Sequence, residues 1–278
     1  MRIAAALMAI VAAGAFGWGA QAAEQVEIRH GETTMPATLL RPAGDGPHPA
    51  VVALHGCGGL ADQKGALYSQ YQAWGERLLK AGFVVLFPDS FAARGVSSQC
   101  RVQTRAVRAF RERVVDANAA RQWLQKQPYV NPGRVSLLGW SNGAAATLWA
   151  VRPRRSVKAA ANDGPDFRSA AAFYPNCRRL GATGWAARIP TLILVGGADD
   201  WTPGRECEQM VAEARGRSAI AQIVSYPGAH HYFDRPNLPL QERSGLAFTP
   251  DGSGRAHVGS HPEARTDAIR RVPEFLTR

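Results

Sequence analysis

A serine flanked by glycines, Gly139-Trp140-Ser141-Asn142-Gly143, follows directly on an apolar run at 135–138 and directly precedes an alanine-rich stretch at 144–148. A serine hydroxyl is a weak nucleophile at neutral pH; it attacks a carbonyl when a base takes its proton and a third group orients that base. The glycines admit a sharp strand-to-helix turn that exposes the hydroxyl, and the helix N-terminus beyond favours developing negative charge. The five-residue pattern alone recurs by chance. Its place between a strand and a helix is what marks Ser141 as a candidate nucleophile.

In folds that use such a turn the acid and then the histidine follow the serine along the chain. The sequence supplies Gly196-Gly197-Ala198-Asp199-Asp200-Trp201-Thr202-Pro203 after one apolar run and Tyr226-Pro227-Gly228-Ala229-His230-His231-Tyr232-Phe233 after another. Asp199 is preferred to Asp200 as the acid because it sits at the strand exit, which leaves Asp200 to cap the helix expected near Pro203. His231 is preferred to His230 as the base. A metal set of His230, His231 and Asp234 is the weaker reading, since adjacent loop histidines seldom converge on one ion.

Acyl transfer also needs N–H donors for the oxyanion. The Asn142 backbone N–H is one candidate. The other comes from His55-Gly56-Cys57-Gly58-Gly59, after the first long apolar run, with the Cys57 N–H ahead of Gly58. Those glycines do not form a phosphate loop, because no Gly-Lys-Ser/Thr follows. Phe91, Trp140, Trp201 and Tyr232 lie on or beside the same loops and are candidates to line a substrate pocket, with Arg94 as partner for a substrate carboxylate. This chemistry requires neither metal nor organic cofactor.

Behind these loops the chain alternates strand-like and helix-like segments. Apolar runs at 50–54, 83–87, 135–138, 170–174, 191–195 and 220–226 read as strands covered on both faces. Helical periodicity runs over 67–80, stopped by Gly82, then over 104–127, closed by Pro128, and over 143–150, 203–215 and 262–276. Two short antiparallel strands precede them within 26–40. The expected architecture is α/β: a mostly parallel central sheet with helices on both faces, its ligand site beyond the carboxyl ends of the strands. Only a short segment separates the runs at 170–174 and 191–195, which leaves little or no room for a lid.

The N-terminus carries one basic residue, Arg2, then small and apolar residues to Phe16, and ends in Ala20-Gln21-Ala22. This is the pattern of a signal peptide, residues 1–22, cut between Ala22 and Ala23; an uncleaved anchor is the alternative, disfavoured by Gly14, Gly17 and Gly19. Residues 23–278 then form one domain, periplasmic or secreted, with no stable membrane insertion. Export makes disulfides available to the four cysteines, which allow three pairings. Cys57 with Cys100 and Cys177 with Cys207 are favoured, since each pair lies on loops leaving neighbouring strand ends; the spacings do not suit zinc. The net charge of +11 bears on encounter with anionic substrates or an anionic envelope surface. Arg101, Arg105 and Arg108 read as a solvated helix face, and no motif points to nucleic acid.

Taken together, the segments around Cys57, Pro88-Asp89-Ser90-Phe91 with Arg94-Gly95, and those around Ser141, Asp199 and His231 resemble the dienelactone hydrolase family from about Ala50 onward. The resemblance implies the α/β-hydrolase fold, cleavage of esters or lactones, the acid at Asp199 and the base at His231. The type member uses a cysteine nucleophile where this chain has Ser141. The expected function is therefore a serine hydrolase acting on a small-molecule carboxylic ester or lactone; the sequence sets no oligomeric state. A serine peptidase of the prolyl-oligopeptidase kind shares the triad order but carries a large extra domain. A silent envelope-binding protein retaining the fold would not need the intact set.

Overall fold

A computed structural model describes residues 23–153 and 164–278; the signal-peptide reading of residues 1–22 lies outside the described residues. Eight strands form one sheet in the order β1-β2-β4-β3-β5-β6-β7-β8. The hairpin β1 (Glu24–His30) and β2 (Thr33–Leu40) joins β4 (Val84–Pro88) antiparallel. From there β3 (His48–Leu54), β5 (Val130–Trp140), β6 (Ala170–Phe173), β7 (Thr191–Gly196) and β8 (Ala221–Tyr226) continue in parallel.

The central strands are apolar on both faces because both faces are covered. Successive strand residues point to opposite sides of a sheet. Val52, Leu54, Leu86 and Leu137 therefore enter one apolar cluster, while Val51, Ala53, Val85 and Leu138 enter the other. The helices that supply the covering layers are α1 (Ser69–Lys80), α2 (Glu112–Gln125), α3 (Asn142–Ala150), the short α4 (Arg178–Gly181), α5 (Gly204–Glu213) and α6 (Pro262–Thr277). Gly82 ends α1 as expected, at φ +83°, with its N–H on the Leu79 carbonyl at 2.9 Å. No helix among the described residues is long and apolar enough to cross a membrane.

Two departures from the sequence reading bear on the site. The helix expected over 104–127 begins only at Glu112, because side chains capture the backbone upstream. The Gln99 amide binds both the N–H and the carbonyl of Val107, at 3.2 and 3.1 Å, and the Glu112 carboxylate accepts the Arg108 N–H at 2.9 Å. Arg101, Arg105 and Arg108 thus share no helix face. The second departure is a two-stranded hairpin, β9 (Gln241–Arg243) with β10 (Ala256–Val258), inserted after the histidine loop.

Both favoured disulfides are present, Cys57–Cys100 and Cys177–Cys207, with Cα atoms 4.9 and 5.0 Å apart. The first ties the loop after β3 to the irregular segment before α2. The second ties the start of α4 to α5.

Candidate active site

Ser141 stands at the junction of β5 and α3 with φ +52° and ψ −113°, a region that costs a non-glycine residue on the order of 1–3 kcal/mol. The neighbouring glycines make the turn possible. A Cβ at 139 would collide with the Gly143 carbonyl, and one at 143 with the Leu54 carbonyl of β3. The turn is fastened by the Ser141 N–H on the Phe173 carbonyl at 2.9 Å.

His231, fully buried, brings Nε2 to 3.1 Å from Ser141 Oγ and Nδ1 to 2.8 Å from Asp199 Oδ2. Asp199 Oδ1 accepts the backbone N–H groups of Trp201 and Thr202, at 2.9 and 2.8 Å, which aims Oδ2 at the ring; the Thr202 hydroxyl donates to Oδ2 at 3.0 Å. The imidazole packs among Tyr174, Trp201 and Tyr232, with ring centroids at 4.4, 4.6 and 4.7 Å. The competing residues go elsewhere. Asp200 does not cap α5; it accepts the N–H and Nδ1 of His257 in β10, at 2.8 and 2.7 Å. His230 faces His257, with centroids 5.8 Å apart.

A cavity of about 500 Å³ opens on Ser141 and is lined at its base by Cys57, Asn142 and Thr202. Neither the Cys57 nor the Asn142 backbone N–H is spent on a hydrogen bond among the described residues. Phe110, Trp149, Trp201 and Phe248 give it apolar walls, while Arg105, Arg108 and Arg179 give it charge. The Arg105 guanidinium lies 4.6 Å from the Phe248 ring centroid, and burial lowers its pKa to about 10. Arg108 is paired with Glu112, and Arg179 lies over Phe110 at 4.0 Å. A larger hollow of about 860 Å³, bordered by Arg152, Thr183 and Arg217, contains none of Ser141, Asp199 and His231.

Of the residues expected to line the pocket, only Trp201 does so. Phe91 is buried edge-on against His55, with centroids 4.5 Å apart. Arg94 is not available to a substrate: its guanidinium grips both oxygens of Asp116, at 2.9 and 2.8 Å, and the Ser90 carbonyl. Trp140 is buried behind the turn at Ser141, and Tyr232 is packed edge-on against Trp201 and Tyr174 with the Arg235 guanidinium 3.6 Å from its ring centroid.

Sequence reasoning missed the buried carboxylate of Asp234. It accepts hydrogen bonds from the Gln70 amide, the Trp74 and Trp140 indoles and the Tyr174 hydroxyl, at 2.6–3.0 Å. It thereby joins α1, the residue before Ser141 and the loop that bears His231. Its position three residues after His231 is the signal that the sequence offers.

The sequence matches the family model of the dienelactone hydrolase family over residues 35–278. The structure is similar to that of a dienelactone hydrolase-like promiscuous phosphotriesterase from metagenomic libraries, with TM-score 0.67 and 20% identity, covering 93% of this chain and 98% of that one. It is also similar to propionate-bound esterase 2 of Thermogutta terrifontis (TM-score 0.63, 18% identity, 92% and 93% of the two chains). A third is the dienelactone hydrolase of Anabaena variabilis (TM-score 0.60, 18% identity, 93% and 97%). At these identities the likeness is one of fold. Uncharacterised proteins of two Mycobacterium tuberculosis strains are 31% identical over 131 residues, 42% of this chain and 44% of theirs. The chain thus spans less than half the length of these curated relatives.

Proposed function

The chain belongs to the dienelactone hydrolase family, and from that premise we propose that it is a serine hydrolase cleaving small carboxylic esters or lactones through an acyl-enzyme. Ser141 Oγ attacks the carbonyl carbon while His231 Nε2 takes its proton. Asp199, hydrogen-bonded at Nδ1, selects the tautomer that leaves Nε2 free to accept and stabilises the imidazolium that forms. The Cys57 and Asn142 N–H groups receive the oxyanion. Collapse of the tetrahedral intermediate expels the alkoxide, which takes the proton from His231. Water, deprotonated by the same imidazole, then releases the acid and restores Ser141.

The observation that carries this reading is the continuous Ser141–His231–Asp199 hydrogen-bond chain, at 3.1 and 2.8 Å, opening on a cavity of about 500 Å³. Residues 23–278 act as one domain. The segment before it, with its charged start, apolar middle and Ala20-Gln21-Ala22, directs export to the periplasm or medium, where the two disulfides persist.

A panel of short-chain p-nitrophenyl esters, lactones and peptide amides tests the proposal against a Ser141→Ala control. Turnover of esters or lactones that falls by at least about a thousandfold in the variant supports it. Turnover of none, or turnover indifferent to the substitution, refutes it.

A further inference from the structure

Arg113, on the first turn of α2, is fully buried and forms no hydrogen bond to a carboxylate among the described residues. One guanidinium nitrogen, Nη1, donates to the His55 carbonyl at 2.6 Å and to Asn142 Oδ1 at 2.9 Å. Nε and Nη2 have no hydrogen-bond partner among the described residues, and the guanidinium lies 5.4 Å from the Phe91 ring centroid. Asp89 and Asp116 act on it only through space, and Asp116 is already held by Arg94. Burial lowers the Arg113 pKa to about 10, so the side chain remains a cation at neutral pH.

Withdrawing a charge from water without a bonded counter-ion is expensive, and an apolar residue of similar volume often serves stability as well or better. The placement of this cation suggests what the cost supports. His55 precedes the Gly56–Cys57 peptide, and Asn142 follows Ser141, so the two acceptors that Nη1 bridges belong to the two segments carrying the oxyanion donors. These segments come from different strands, β3 and β5. Tyr71 restrains the first from its other side, its hydroxyl accepting the Gly56 N–H at 2.8 Å.

Resting on the hydrolase reading above, we infer that Arg113 is a positioning residue of the oxyanion site, clamping the Cys57 and Asn142 N–H groups in register and placing beside them a positive charge that no hydrogen-bonded carboxylate neutralises. Both effects act on the transition state. A fixed donor pair loses nothing to reorganisation as the oxyanion forms, and a charge in a low-dielectric interior is felt more strongly than in water. The ground-state ester, neutral at its carbonyl, draws little from either.

The test uses the full chain with Arg113→Met, Arg113→Lys and Asn142→Ala, each titrated with a fluorophosphonate so that rates refer to active sites. For Arg113→Met, kcat per titrated site is expected to fall roughly 10- to 100-fold, with KM within about threefold. The Ki of a trifluoromethyl ketone, whose adduct with Ser141 carries the oxyanion, rises by the same factor as kcat falls. Arg113→Lys recovers part of the loss. Asn142→Ala reproduces most of it, and the double variant is no worse than the worse single one, as a shared interaction requires. Should Arg113→Met fail to fold, Asn142→Ala carries the comparison. A kcat per site within about threefold of native in these variants, or a loss borne by KM with Ki unmoved, overturns the inference. Failure of the native protein to label or hydrolyse would instead defeat the hydrolase reading itself.

Discussion

Adjacent residues of identical type leave the acid and histidine loops in different directions, and direction decides their use. Asp199 turns inward, where two backbone N–H groups fix one oxygen and aim the other at His231. Asp200 turns outward to His257. Asp199→Asn is therefore expected to lower kcat by about 10³- to 10⁴-fold with little change in KM, since an amide favours the wrong imidazole tautomer. Asp200→Asn should cost less than about tenfold. Steady-state kinetics on one ester separates the two, and equal losses would remove the basis for distinguishing them. Nothing in the identity of Asp199, Asp200, His230 or His231 states which way each side chain points. The strand exit favoured Asp199, but the backbone donors that fix its carboxylate become visible only when the loop is folded.

Elements proved legible where covering layers impose a pattern and less so where side chains compete with the backbone. The parallel strands read as apolar runs because both faces are buried, and the turn at Ser141 is marked by glycines that backbone contacts require. Helical periodicity extends upstream of the true start of α2 because Gln99 and Glu112 supply hydrogen bonds that compete with the helix there. The displaced segment matters for function, since it carries Arg105 and Arg108 into the cavity wall. Hydrogen bonding to Arg108 lowers the Glu112 pKa from the ordinary 4.5 to about 2. A carboxyl whose pKa is lower in the folded state adds stability that is complete above its unfolded pKa and is lost as pH falls through the folded one. Thermal unfolding should thus show a Glu112 contribution that is full above about pH 5 and fades toward pH 2. Glu112→Gln should lower Tm by a few degrees at pH 7, with the difference shrinking at pH 2–3; a difference that grows on acidification would contradict this role.

At the scale of the whole molecule, distant segments meet at the carboxyl ends of the parallel strands. The loop after β3 brings Cys57, β5 ends at Ser141, the loop after β7 brings Asp199 and that after β8 brings His231. The order of these loops along the chain and the parallel sheet were both legible, as were the disulfides that pin two of the surrounding segments. The pocket lining was not, because it depends on which aromatic and basic side chains remain uncovered: Trp140 and Tyr232 are packed away, whereas Phe248 arrives on an unforeseen insertion. We propose that this convergence activates one serine. Treatment of the folded native protein with a fluorophosphonate, followed by intact-mass measurement and peptide mapping, tests it most directly. One adduct per chain on Ser141, absent in Ser141→Ala and strongly slowed in His231→Ala, is the expected result; no adduct, or one seated on another residue, would contradict it.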